Sequence, residues 1–240
     1  MNNDTRAPDD EPELLHATRW LNLYRRGRWI YASRRKADAP ARIDGLNIIA
    51  FHEEPARAGA CIGIGTGTAA DAGGHADVGT AAATAATATA TATTADAPDG
   101  RPRRRLVVIE EWRVPVQAWE FALPAGLLEP GEELAACAGR ELAEETGLAL
   151  TWTGTRSGTV FSSPGMSDET LAFIVVGCQG APSENPGVEG EQIRVHLLDR
   201  EDCRALLARN GRGEATLSSR LWPVLFAIAE TGGFGGHALG

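Results

Sequence analysis

The 240-residue sequence predicts an α/β or α+β sandwich, and three features carry that expectation. Runs rich in β-branched and aliphatic residues recur along the chain, LNIIAF, LVVIEEWRVPV, TLAFIVVGC and IRVHLL, each of strand length. A short helix laden with carboxylates stands between the second and third runs, and helical patterning returns after Asp199. Strands interleaved with a few helices imply a mixed sheet covered by helical layers. A hydrophobic content of 43% over this length suffices for one good core with appended segments.

Taken in order, residues 1–13 read as a flexible acidic tail. Residues 14–51 hold a β-hairpin, WLNLY and RWIYASRR about a turn near Arg26 and Gly27, followed by the strand Leu46 to Phe51. Residues 52–102 read as a disordered insertion in a surface loop. From Thr80 to Ala95 that stretch contains only alanine and threonine, which offer too little side-chain burial to offset the entropy of ordering. An alanine-rich helix is the competing reading, weakened by the β-branched threonines. Arg101, Arg103, Arg104 and Arg105 close the insertion as a solvated, basic loop end, with attraction of phosphate as the alternative reading. Order resumes across a core of residues 103–230: a strand from Leu106, a loop broken by Pro124, Gly126, Pro130 and Gly131, the carboxylate helix, and the strands Thr170 to Cys178 and Ile193 to Leu198. A helical tail from Asp199 to Glu230 is interrupted at Asn210 to Gly213 and striped by Leu217, Leu221, Leu225 and Ile228. Residues 231–240 read as a flexible glycine-rich end.

The stretch GLLEPGEELAACAGRELAEETGL, Gly126 to Leu148, is the most informative segment. Glu141, Glu144 and Glu145 stand at i, i+3 and i+4, so a helix places all three on one face. Adjacent anions repel unless a cation sits among them, and hard carboxylate oxygens suit Mg²⁺ or Mn²⁺. Leu134, Ala135, Ala138 and Leu142 give the opposite, apolar face, and Gly147 ends the helix, as a residue tolerant of positive φ does. A solvated acidic face would also produce a charge run, but it requires no glycine or arginine at fixed offsets.

Gly126, Glu132, Arg140, Glu141, Leu142, Glu144, Glu145, Gly147 and Leu148 match at every position a glycine, five residues, Glu, seven residues, Arg-Glu, an aliphatic, any residue, Glu-Glu, any residue, Gly and an aliphatic. This segment resembles the Nudix box, and the resemblance implies the Nudix α/β/α sandwich with a mixed sheet. Three further segments resemble the ADP-ribose and ADP-sugar pyrophosphatases of that family. FSSPGMSDE, Phe161 to Glu169, is similar to their proline-bearing loop. GEQIRVH, Gly190 to His196, is similar to the segment after their mobile catalytic loop, where a glutamate completes the metal site or serves as base. WLNLYRRGRWIY is similar to their amino-terminal region, whose tryptophans stack on adenine across a swapped dimer. The resemblance as a whole covers most of residues 15–230 outside the insertion.

What the resemblance implies is Mg²⁺-dependent hydrolysis of ADP-ribose or a related ADP-sugar to AMP and a sugar phosphate, with Mn²⁺ as the alternative metal. Glu141, Glu145, Glu144 and the carbonyl of Ala125 would be metal ligands. Glu132 and Arg140 would hold loop and helix together, a role that suits the rigid guanidinium fork. Arg113 would contact substrate phosphate, Trp20 and Trp29 would stack on adenine, and Glu191, with Glu189 and Glu169 as alternatives, would be the base. His196 reads instead as a core or surface histidine. A UDP-sugar, NADH or an oxidised nucleotide is the alternative substrate, and a non-catalytic module that binds ADP-ribose the alternative class.

The resemblance implies a small-molecule nucleoside diphosphate as partner and a second copy in a homodimer. The formal net charge of -9 argues against general nucleic-acid binding. Cys61, Cys137, Cys178 and Cys203 are scattered without a CxxC pair, so neither a zinc site nor a disulfide framework is expected, and a reducing interior is. The acidic amino-terminal residues are unlike a secretory signal or a mitochondrial presequence, and no stretch is apolar enough for a bilayer. The expected location is the cytoplasm, with the nucleus as the alternative.

Overall fold

The computed structural model describes residues 11–36, 42–54, 103–183, 192–234 and 236–239. The chain enters through β1 (Glu13–Ala17), β2 (Asn22–Arg26) and β3 (Trp29–Ser33), an antiparallel sheet in that order. Gly27, at φ 58°, makes the β2–β3 turn, so the expected hairpin is present. It carries one strand more than expected, because β1 begins at Glu13, where a tail was expected to end. Tyr24 is buried in this sheet and stacks on Tyr31. β3 is tied to the rest of the molecule: the Ala32 amide donates to the Met166 carbonyl at 2.9 Å, and Arg35 meets Asp44 at 2.8 Å.

β4 (Gly45–Glu53) and β5 (Arg104–Arg113) form the centre of a nine-stranded mixed sheet. β6 (Ala118–Ala122), β7 (Ala125–Leu127) and helix α1 (Leu134–Thr146) follow, then β8 (Ala149–Arg156), β9 (Val160–Phe161), β10 (Thr170–Gln179) and β11 (Ile193–Leu198). Helix α2 (Arg200–Gly211), β12 (Thr216–Leu217), helix α3 (Leu221–Thr231), β13 (Gly233–Phe234) and β14 (His237–Ala238) complete the chain. The main strand order is β12-β6-β5-β4-β10-β8, with β11 beside β5, β7 beside β4 and β9 beside β10. β4 and β10 pair in parallel, Ile48 opposite Ile174, and the flanking pairs are antiparallel except β12–β6.

The central strands are continuously apolar because both faces are covered. Leu46, Ile48, Ala50, Val107, Ile174 and Val176 point to one side, where Cys137, Ala138 and Leu142 of α1 meet them. Ile49, Phe51, Leu106, Val108 and Val175 point to the other, against Leu206 of α2 and Leu221, Val224, Leu225 and Ile228 of α3. This is an α/β/α sandwich. The buried stripe of α1 is Cys137, Ala138, Leu142 and Thr146; Ala135, expected on that face, is exposed, one residue round the helix from the half-buried Leu134. Gly147, at φ 72°, closes α1 by donating its amide to the Ala143 carbonyl at 2.9 Å. Asp199 and Asp202 cap α2 reciprocally.

Two boundaries differ from the sequence reading. β4 continues through His52 to Glu53, so the strand runs two residues into the stretch assigned to the insertion; residues 55–102 lie outside the described residues. At the other end, Arg104 pairs with Glu53 at 2.8 Å, Arg105 with Glu54, and Arg103 with Asp199 at 3.6 Å, so this arginine cluster is matched to carboxylates. The expected flexible end after residue 230 instead turns back as the β13–β14 hairpin. There His237 stacks on Trp152 with centroids 4.7 Å apart. The described cysteines, Cys137, Cys178 and Cys203, are free and buried.

Candidate functional site

The loop between β7 and α1 is built around one ion pair. Arg140 donates to Glu132 in a fork, Nε to Oε1 at 3.0 Å and Nη2 to Oε2 at 2.9 Å. The same guanidinium donates to the Leu127 carbonyl at 3.1 Å and to Glu141 Oε1 at 2.7 Å. Glu132 Oε2 also accepts the Glu129 amide at 2.9 Å, which closes the loop. The hydrogen bond from Arg140 and that amide hold the Glu132 carboxyl down at about 2.

Glu141 leans over β7. A Cβ placed on Gly126 would lie 1.8 Å from the Glu141 carboxyl, so only glycine leaves room for that carboxylate. Burial raises the Glu141 pKa, opposed by its hydrogen bond from Arg140. Glu145 Oε2 accepts the Ala125 amide at 3.0 Å, which fastens the helix to β7 one residue from that glycine. Glu144 is more exposed and stands 3.6 Å from Arg140.

These residues form one wall of a cleft of about 810 Å³. β5 supplies the next wall, where period-2 alternation puts Glu111 and Arg113 on one face and register sets Glu111 opposite Glu120 of β6. Arg113 bridges them, at 3.0 Å from Glu111 and 3.3 Å from Glu120. Ser162, Ser163 and Glu169 come from the segment around β9, and Ser218, Ser219 and Arg220 from the link between β12 and α3. Glu169 stands between two guanidiniums, Arg34 at 3.4 Å and Arg220 at 3.7 Å.

The structure thus gathers Ala125, Glu141, Glu144, Glu145, Arg113 and Glu169 around a single cleft. It does not bring the tryptophans there. Trp29 lines a separate pocket of about 230 Å³ with Tyr31, Phe161, Pro164 and Asp168, and Trp20 is 70% exposed beneath Arg19. Glu189 and Glu191 lie outside the described residues. His196 is half-buried outside the cleft lining, 3.2 Å from Glu110 and against the Phe121 ring. Sequence reasoning missed Arg34, Glu111, Glu120, Ser162, Ser163, Ser218, Ser219 and Arg220. Alternation in EEWRVPV and AWEFA carries a signal for Glu111 and Glu120; the others reach the cleft through tertiary packing alone.

Among the described residues no three cysteine, histidine or carboxylate side chains already converge on one point. Arg140 draws Glu141 aside, and the Ala125 amide draws Glu145. The donor set nevertheless suits a hard divalent cation, since Glu141, Glu144 and Glu145 offer only oxygen and Gly126 keeps the space beside Glu141 clear.

The NUDIX domain family matches residues 91–218. The chain is 35% identical over 121 residues to putative nudix hydrolase 2 of Caenorhabditis elegans, covering 48% of this chain and 54% of that protein. It is 34% identical over 87 residues to the ADP-ribose pyrophosphatase of Saccharomyces cerevisiae, covering 36% and 37%. To the ADP-ribose pyrophosphatase of Escherichia coli K12 it is 32% identical over 113 residues, covering 42% and 52%. The chain therefore spans about half the length of these curated relatives, and less of the yeast one. A crystal structure of an ADP compounds hydrolase shares the fold, with a TM-score of 0.51 at 16% identity over 91% of this chain and 90% of that one.

Proposed function

The chain belongs to the Nudix family, and on that footing we propose that it hydrolyses the diphosphate bond of ADP-ribose or a related ADP-sugar to AMP and a sugar phosphate. The reading rests on one cleft that is lined both by the oxygen donors of α1 and β7 and by the guanidiniums of Arg113 and Arg220. Carboxylates that hold a divalent metal and guanidiniums that match phosphate geometry are the two kinds of group that suit a diphosphate. Glu141, Glu144, Glu145 and the Ala125 carbonyl would hold Mg²⁺, or Mn²⁺ in its place. When bound, the metal supplies charge neutralisation at the diphosphate and a more acidic water.

The chain's own groups divide the remaining work. Arg113 is released from Glu111 and Glu120 to a phosphate oxygen, where its planar fork fixes the phosphorus for attack. A water oxygen bonds to that phosphorus, the bridging P–O bond breaks, and the bridging oxygen leaves with one product. The water's proton passes to a glutamate. Glu169 is engaged by Arg34 and Arg220, so we assign the proton to Glu191 before β11, with Glu189 next. Arg140 and Glu132 keep α1 and its loop rigid through the reaction.

Trp29, with Tyr31 and Phe161 beside it, supports an adenine-stacking role, and Trp20 joins it in the same proposal through a second copy. Base stacking of this kind is worth about 1–3 kcal/mol. The homodimer is supported by the apolar side chains that the amino-terminal sheet leaves exposed, Leu14, Trp20, Trp29 and Ile30. Among the described residues no helix is long and apolar enough to cross a membrane, and we place the enzyme in the cytoplasm, with the nucleus as the alternative.

The test is release of AMP from ADP-ribose by purified protein with Mg²⁺, run beside UDP-glucose and NADH. Rapid AMP release is expected. Glu145→Gln keeps the side-chain size and removes the charge, and should lower kcat by about 10²-fold or more with the melting temperature unchanged. A variant with near-parental turnover overturns the ligand assignment. Preference for UDP-glucose overturns the adenine pocket and keeps the chemistry, preference for NADH, which also carries adenine, overturns the sugar assignment alone, and tight ADP-ribose binding without turnover makes the chain a binding module.

A further inference from the structure

The three arginines of the cleft are not equally available. Arg113 is engaged by two carboxylates at 3.0 and 3.3 Å. Arg34 and Arg220 share one carboxylate, Glu169, between them. The Glu169 group therefore carries one more positive charge than negative, the Arg113 group one more negative than positive. Within the Glu169 group, Arg34 is near hydrogen-bonding range at 3.4 Å, whereas Arg220 stands 3.7 Å off and makes only a charge contact. The Arg220 guanidinium is about a third exposed, and among the described residues it finds no acceptor at hydrogen-bond distance. Ser218 and Ser219 flank it on the same wall, with Ser162 and Ser163 also lining the cleft.

We propose that Arg220 is a substrate-binding residue, the arginine that first takes up a phosphate oxygen of the nucleoside diphosphate, and that Glu169 is its positioning residue, holding the guanidinium over the cleft until the phosphate displaces it. This rests on the diphosphate reading of the cleft given above. A guanidinium that trades one long ion pair for a two-pronged contact with phosphate gains hydrogen bonds it lacks in the free protein. Arg113 must leave two carboxylates to make the same contact, so it joins later. The cleft is otherwise dominated by glutamates, and Arg220 with Arg34 supplies the positive pole that orients an anionic ligand across it. The residue lies outside the Gly126 to Leu148 motif, on the link from the edge strand β12 to α3.

The experiment is calorimetric titration of the full chain in Mg²⁺ with α,β-methylene-ADP, a nucleoside diphosphate that cannot be hydrolysed at its bridge. Arg220→Gln should bind about tenfold or more weakly, as expected for loss of one charge-assisted contact, and Arg220→Lys should recover part of the loss. Glu169→Gln should bind as tightly as the parent or several-fold tighter, because the guanidinium no longer has to be released. A purely structural ion pair would weaken binding in both glutamine variants, so the opposite signs are the signature. Parental binding with Arg220→Gln within twofold of it overturns this inference alone, as does weakening in both glutamine variants. A parent that neither binds the analogue nor releases AMP from ADP-ribose overturns the functional reading and this inference with it.

Discussion

Glu132 is where the loop before α1 and the helix itself are locked, by a forked contact from Arg140 and the amide of Glu129. Its carboxyl sits at about 2 against an ordinary value of 4.5. Because the folded value is the lower one, its contribution to stability is fully present above pH 4.5 and is lost as pH falls towards 2. Glu132→Gln is expected to be less stable than the parent near neutrality, and the gap between them should close across that acid window. Urea midpoints measured through it check this; a gap that persists at the acid end contradicts it. The carboxylate cluster was legible in the sequence because its members are neighbours on one helix, so spacing alone sets their geometry. The spacing of Gly126 was visible too, but not its reason, since the helical Glu141 reaches back across β7 to fill the space a side chain would take. Arg34 and Arg220 were invisible for the opposite cause: 186 positions separate them, and only the tertiary fold brings both to Glu169.

At the scale of elements, β8 and β10 show how small residues buy room for large ones. A Cβ on Gly177 of β10 would lie 1.9 Å from Trp152 Nε1 of β8, so the indole lies flat over the strand. His237 then covers it, and Arg104 stands 5.8 Å away. Gly177→Ala should force Trp152 off the sheet at a cost of about 1–3 kcal/mol, typical of overpacking. A lower denaturation midpoint with shifted tryptophan emission is the expected result; unchanged emission would mean that the strand itself moves instead. The apolar strands β4, β5, β10 and β11 and the helices were legible because each is a run or stripe dense enough to announce its period, whereas β8, ALTWTGTR, is mostly exposed and was not legible as a strand. β12, β13 and β14 were not, since two-residue strands have no period to read. The glycines that suggested a loose end are the turn formers there, Gly232 at φ 77° and Gly236 at φ 84°. The third strand of the amino-terminal sheet escaped for a related reason: β1, ELLHA, presents four of its five residues to solvent and so lacks the buried alternation that marks a strand.

For the whole molecule, the α/β/α arrangement follows from apolar runs covered on both faces, and it places the carboxylates of α1 in a cleft lined also by Gly45, Leu46 and Asn47 at the start of β4. How far the amino-terminal sheet stands from the cleft was not readable, because its placement depends on side chains such as Arg35 and Asp44 meeting across the fold. One junction remains to be considered. β4 and β5 are registered up to their last residues: Glu53 faces Arg104, and the Glu54 amide donates to the Arg103 carbonyl at 3.0 Å. The chain thus departs and returns at a single point, whatever lies between. Residues 55–102 replaced by a four-residue turn should raise stability by about 2 kcal/mol through cheaper loop closure, with AMP release unchanged; a loss of activity would give that segment a part in the site. The same closed junction bears on how the length of the chain can change. Residues added or removed between Glu54 and Arg103 change the length of the protein at a junction that the β4–β5 pair already closes, and so leave the register of that pair as it is.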